Sequence, residues 1–279
     1  MSDLLTVILL GLVQGLTEWL PVSSSGHLVL VGQLRGDVSL VLDLALHLGT
    51  TMVLVAYFRK DLVRLTRAMP GALRQGLRER SLERVRDSPD RLVVWWVILV
   101  TIPTGLIAVP LAFILESRFT TNLVTVGLGL ILTSLLLLLG RHHDGRGRSL
   151  TQLHVHEVLV LGIIQGIAVL PGVSRSGSTI SVGMRQGLSP AEAGRLSFLM
   201  AIPAILGAGL LSLVRISETV SAGDLQLALV GIMLAAVIGY LTLHWLMGVL
   251  QRGSDLSPFA WYTLPLGLLV LLWGLGLLG

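Results

Sequence analysis

Six stretches of this chain, residues 40–58, 92–115, 121–140, 192–215, 224–249 and 259–278, are apolar over the ~20 residues a helix needs to cross a bilayer core. In lipid every backbone N–H and C=O must be bonded within its own segment, so stretches of this kind fold as helices. Composition agrees. Only 13% of the 279 residues are charged, against about a quarter in soluble domains, and 53% are hydrophobic. The sequence therefore predicts an all-α polytopic membrane protein with six transmembrane helices. There is no cysteine, so no disulfide framework exists. The opening MSDLLTVILLGLVQG has neither a basic leader nor a small-x-small cleavage site, so it is not expected to be a signal peptide.

Two further apolar stretches, 4–34 and 157–190, are interrupted halfway by polar, Pro- and Gly-containing breaks, LPVSSSG and LPGVSRSG. They match one another. At an offset of 151, GLVQGLTEWLPVSSSGHLVLVG (11–32) and GIIQGIAVLPGVSRSGSTISVG (162–183) share nine identities in 22 positions. Chance similarity between greasy segments would pair leucines, whereas these matches are mostly Gly, Gln and Ser. Gln14 falls on Gln165, Ser23 on Ser174, Ser25 on Ser176 and Gly26 on Gly177. The expectation is an internal repeat, copy one spanning about 1–140 and copy two about 152–279, each a broken hairpin followed by three spans. If the hairpins are re-entrant, three crossings separate the copies and the second is inverted. That plan puts a binding site near the bilayer midplane, between two broken helices. Such a repeat also suits a two-fold homodimer.

The basic residues test this layout. Residues 59–91, read as a loop, hold ten of them, among them Arg59, Lys60, Arg64, Arg67, Arg74 and Arg91. With Arg141, Arg146, Arg148, Arg185, Arg195 and Arg252, 16 of the 20 lysines and arginines fall on one side. Arg35, Arg118 and Arg215 face the other side, and Arg175 lies within the membrane. The crowded side is expected to be cytoplasmic, which leaves both termini outside and dips the first hairpin in from the outer face. The +4 net charge thus needs no nucleic acid to explain it; contact with anionic lipid is the secondary role expected of 59–91.

Gln14 and Glu18 stand four apart and share a helix face, and Pro21 is expected to end that helix. The serines that follow (Ser23, Ser24, Ser25) suit a cap on the next helix. Hydroxyls, free N–H groups and a positive helix end together favour an anion. The second tip repeats this with Ser174, Ser176 and Ser178, and adds Arg175, whose planar fork fits phosphate oxygens. A carboxylate at membrane depth costs at least ~2.5 kcal/mol, so Glu18 should have a partner or a task. It suits a divalent cation or a general base; His27 suits proton transfer, and a serine beside an imidazole permits a phosphoserine. Blander roles compete: a buried Glu18–Arg175 ion pair, His27 bonded to a carbonyl, serines acting only as caps, and Gln14 and Gln165 bonding backbone. Asp43 and His47 either line the pocket or form an interfacial pair. His142, His143, His154 and His156 read as solvated rather than as a metal centre.

At these residues the chain resembles the undecaprenyl-diphosphate phosphatases of the bacitracin-resistance type, over nearly its whole length. The anchors are QGLTEWLPVSSSGH (14–27) and PGVSRSGST (171–179), with SFLMAIP (197–203) as a weaker third. The resemblance assigns the family's acidic motif to Gln14 and Glu18, its serine and histidine to Ser24 and His27, and its arginine to Arg175. Ser23, Ser25, Gly26, Ser174, Ser176, Gly177 and Thr179 fall in the same motifs and, with Gln14, are expected to bind substrate. The first acidic position is Gln here, so Glu18 alone would carry the carboxylate role. The resemblance implies an inner-membrane enzyme that removes the terminal phosphate of undecaprenyl diphosphate, regenerating the lipid carrier for peptidoglycan and related polymers. It also implies Mg²⁺ or Ca²⁺, held by Glu18 with the diphosphate, and a site open to the periplasm. A lipid-phosphate flippase or transporter is the rival reading, because inverted broken-helix repeats are also a transporter plan. A second lipid-phosphatase pattern, S-R-x5-H-x3-D, fails: Ser174–Arg175 is followed by SGSTISVGMR.

Overall fold

A computed structural model of the protein describes residues 4–35, 39–79, 88–115, 122–140, 147–215 and 221–278. Regular structure among the described residues is helical throughout, apart from one isolated bridge between Arg148 and Leu188. Each interrupted stretch folds as two short helices around a break. In the first half these are α1 (Leu4–Thr17) and α2 (Ser24–Arg35), followed by α3 (Leu40–Tyr57), α4 (Arg59–Glu79), α5 (Pro89–Leu115) and α6 (Leu123–Leu139). The second half has α7 (Val155–Ile167) and α8 (Arg175–Arg185), then α9 (Pro190–Arg215), α10 (Ala222–Gln251) and α11 (Ala260–Gly274).

Among the described residues five helices are long and apolar enough to cross a membrane: α3, α5, α9, α10, and α11 taken with the short 3-10 turn before it. The sixth expected span, 121–140, folds as the 17-residue α6. Asn122 sets its start, its side chain accepting from the N–H groups of Val124 and Thr125. The expected loop at 59–91 needs correction, because residues 59–79 form α4. Apolar residues recur there at helical spacing, and Leu65 and Ala72 are buried against the core. The basic residues Arg80, Arg84, Arg86, Arg118, Arg141 and Arg146, with His142 and His143, lie outside the described residues.

The two halves pack reciprocally: α1 lies on α10 and α7 lies on α5. Glycines make both approaches close. A Cβ added at Gly11 or Gly15 would sit 2.9 Å and 2.7 Å from Leu234 and Ile238 of α10. One added at Gly162 or Gly166 would sit 2.5 Å and 2.8 Å from Pro103 and Ile107 of α5. Both pairs have the small-xxx-small spacing by which helices meet in lipid, where van der Waals packing replaces the hydrophobic drive. The four glycines are also aligned with each other at the offset of 151. Each half thus seats its first short helix against a long helix of the other half, which brings the two breaks face to face.

Candidate active site

The first break begins at Thr17, four residues before Pro21. A helix running on through Pro21 would press the proline ring against the carbonyl of Thr17, so α1 stops there. The chain then turns through residues 18–23 and restarts at Ser24. Ser23 closes the turn with φ 70°, a left-handed conformation held by no other described non-glycine residue. Such backbone costs on the order of 1–3 kcal/mol and persists only where the surroundings enforce it. The Ser23 hydroxyl accepts from the Gly26 N–H at 3.3 Å and lies 3.2 Å from the Ser25 hydroxyl. At the second break Ser174 accepts from the Gly177 N–H at 3.1 Å and lies 3.2 Å from the Ser176 hydroxyl. Aligned serines therefore cap the two restarting helices in the same way.

The tips touch. The Ser176 hydroxyl donates to the carbonyl of Leu20 at 3.2 Å. A Cβ added at Gly177 would lie 3.0 Å from Pro21, and one added at Gly26 would lie 3.4 Å from the Cα of Gly172. Behind the second tip, Thr133 of α6 donates to Gly172 O at 3.0 Å and accepts from the Ser174 N–H at 2.8 Å.

Glu18 is where the two halves join. Its side chain is only 7% exposed. Oε1 accepts from Nη2 of Arg175 at 2.9 Å. Oε2 accepts from the Ser24 hydroxyl at 2.6 Å and from Nε2 of Gln14 at 3.0 Å. His47 of α3 places Nε2 3.9 Å from the same oxygen and stands 3.6 Å from Asp43 Oδ1, so the Asp43–His47 pair does border the site. Arg175 lies over the Trp19 ring at 5.7 Å, and Trp19 packs edge-on against Phe198. Three buried polar atoms here have no partner, Nη1 of Arg175, Oε1 of Gln14 and Nε1 of Trp19. A buried guanidinium N–H without an acceptor is costly, and a phosphate oxygen would supply one.

His27 lies apart from this cluster. Its Nδ1 is 2.7 Å from the carbonyl of Ser23, and its Nε2 is 2.7 Å from the hydroxyl of Tyr262 on α11. The two rings stack with centroids 5.8 Å apart. The carbonyl bond weighed as the blander role of His27 is present, together with a tyrosine that nothing local in the sequence announces. The residues expected to bind substrate at the second tip are buried, and their hydroxyls have partners within the protein. Thr179 donates to Arg175 O at 2.7 Å and meets the Ser197 hydroxyl at 2.7 Å. Gln165 donates to Thr104 and to the carbonyl of Met200. His154 and His156 stack on each other in the open. Among the described residues no three or more His, Asp or Glu side chains gather to hold a metal by themselves.

A carboxylate, an arginine with a spare donor and a hydroxyl on that carboxylate make a site suited to a phosphate ester or anhydride. Comparison with known proteins agrees with this chemistry. Residues 7–269 match the family model described as bacitracin resistance protein BacA. A protein of Methanosphaera stadtmanae named undecaprenyl-diphosphatase is 37% identical over 278 residues, 98% of each chain. Proteins of the same name from Thermomicrobium roseum (40% over 272 residues, 94% of this chain and 95% of the relative) and Rubrobacter xylanophilus (39% over 277, 97% and 98%) are similarly close.

Proposed function

The chain belongs to the bacitracin resistance protein BacA family, and on that premise we propose that it hydrolyses undecaprenyl diphosphate to undecaprenyl phosphate and inorganic phosphate. This recycles a lipid carrier for cell-wall polymers, with resistance to bacitracin as a consequence. The observation that carries the reading is the contact of the two tips through Glu18 and Arg175, with the Ser24 hydroxyl 2.6 Å from that carboxylate.

The terminal phosphate of the substrate meets the free Nη1 of Arg175, which balances charge on the transferring phosphoryl group. Ser24 Oγ attacks the terminal phosphorus as its proton passes to Glu18. The bond to the bridging oxygen breaks, and undecaprenyl phosphate leaves with that electron pair. Water then cleaves the phosphoserine, returning a proton to Ser24 and releasing phosphate. A water lodged on Glu18 in place of the serine oxygen would reach the same products in one step. His27, oriented by Ser23 and Tyr262, serves the proton at the leaving oxygen.

The donor set fits Mg²⁺ or Ca²⁺ carried mainly by the substrate. Glu18 accepts three hydrogen bonds and has one lone-pair position left, and Mg²⁺ is commonly held by one or two carboxylates together with phosphate oxygens, while Ca²⁺ would draw more of its oxygens from the diphosphate and water. Bound there, the cation would neutralise the charge of the diphosphate.

We place six spans and two re-entrant hairpins in an inverted repeat within the bacterial inner membrane, with both termini and the site opening to the periplasm. At 1.5 Å per residue the short helices α1, α2, α7 and α8 are about 16–21 Å long, enough to reach the middle of a ~30 Å core and too short to cross it. Reciprocal packing of α1 on α10 and α7 on α5 supports the repeat. The polyprenyl tail lies among the spans, in lipid.

Purified protein is expected to release phosphate from undecaprenyl diphosphate with Mg²⁺ or Ca²⁺ and to stop when a chelator is added. No release from folded protein with either cation would sink the enzyme reading and turn attention to lipid flux. Tyr262→Phe is expected to lower kcat by roughly fivefold, about the worth of one hydrogen bond of ~1 kcal/mol, with little change in KM. An unchanged kcat would remove Tyr262 from the account.

A further inference from the structure

The outward face of α4 carries a feature that the hydrolysis does not use. Lys60, Arg64, Arg67 and Arg74 are all exposed, and at 100° per residue they fall within about 80° of one another. Asp61 is exempt from this stripe, being turned inward to Arg195 of α9 at 2.7 Å and shared with Arg64 at 2.7 Å. Val63 is an exposed apolar residue beside the cations, and Leu73 and Met69 are exposed further round the same helix, about 100° and 140° from the edge of the stripe. The helix is held firmly in this orientation. Leu65 and Ala72 are buried, Trp95 of α5 donates to the carbonyl of Ala72 at 3.2 Å, and Arg91 donates to Gln75 at 3.0 Å.

Position along the chain sets the depth. One residue, Phe58, separates the end of α3 from the start of α4, so α4 begins where a spanning helix leaves the membrane. Tyr57 sits at that point with its ring 6.3 Å from Tyr240 of α10, and Tyr240 is about half exposed. Aromatic rings of this kind mark the boundary between acyl chains and headgroups. A cationic face at that boundary, with exposed apolar side chains on a separate face of the same helix, is the arrangement of a helix lying in the interface. We propose that α4 is a docking strip for anionic phospholipid headgroups in the leaflet where α3 ends. Soluble polyanions fit the charge but leave the exposed apolar side chains unexplained.

The test is binding of a fluorescent short-chain phosphatidylglycerol, against the same probe with a phosphatidylcholine headgroup, to the whole detergent-purified protein. Wild type is expected to bind the anionic probe at least ~5-fold more tightly, the effect of about one basic residue at a charged surface, and to lose that preference in 0.5 M salt. The variant K60Q/R64Q/R67Q/R74Q should bind both probes alike, with its melting temperature unchanged. Arg252→Gln, removing an exposed arginine elsewhere, should retain the preference. Equal binding of the two probes by wild type would overturn the proposal, as would a preference that survives the fourfold variant. A preference insensitive to salt would do so as well, and that arm needs no variant to fold. Competition by a short oligonucleotide as effective as the anionic lipid would reassign the stripe to soluble polyanions.

Discussion

Arg175→Ala is expected to cut phosphate release by roughly 10³- to 10⁵-fold, the range in which an arginine on a transferring phosphoryl group acts. Arg175 is aimed by Glu18 at 2.9 Å and by the Trp19 ring at 5.7 Å, which leaves Nη1 as the free donor. Lysine is not expected to substitute. Its ammonium lacks the planar fork that holds Glu18 with one nitrogen while offering another to the substrate. A purely structural ion pair makes a different forecast. Removing one partner of a buried pair strands the other charge at a cost of about 3–5 kcal/mol, so loss of activity would track loss of folded protein. Melting temperatures of Arg175→Ala and Arg175→Lys, measured beside kcat, separate the two. The catalytic account requires folded Arg175→Lys with most of its activity gone.

Gly172→Ala is expected to damage the fold more than any other single methyl group at the tips. Gly172 has φ 89°, where an L side chain is strained by about 1–2 kcal/mol. Its Cβ would also come within 2.2 Å of the carbonyl of Val126 and 3.0 Å of the Cα of Gly129. These are backbone atoms of α6 and can yield only if the second tip withdraws, taking with it the Thr133 bonds that fix Gly172 and Ser174. A loss of about 4 kcal/mol or more is expected, read as a fall in melting temperature or as failure to accumulate in membranes. Gly207→Ala provides the comparison, since nothing lies within 4 Å of a Cβ there. Equal stability of the two variants would mean that the second tip is not packed on α6 as described.

Much of this architecture was legible because lipid leaves a chain few choices. Apolar runs gave the long helices, and the aligned Gly and Ser residues marked the places where the halves approach and the short helices are capped. Gly11, Gly15, Gly162 and Gly166 each face a neighbouring helix too closely for a side chain. The contact of Glu18 with Arg175 was legible, because a charge at depth demands a partner, and Ser24 joins the same carboxylate. The bonds of Ser176 and Thr179 were less so, since a hydroxyl that binds an anion and one that fastens a tip look alike in sequence. Tyr262 lies 235 residues from His27 and could not be found from local pattern. Residues 59–79 were misread for another reason: their density of charge hid an apolar face at helical spacing, so a docked helix read as a loop.

The central claim is that two tips, one from each half, make a single site. A double-mutant cycle on kcat/KM tests it most directly, with Glu18→Gln, Arg175→Lys and the pair, each checked for folding. Groups that act as one unit lose nearly everything when either is removed. The paired variant is therefore expected to be within about threefold of the slower single variant. Losses that multiply would contradict the account, placing Glu18 and Arg175 in separate roles despite their contact.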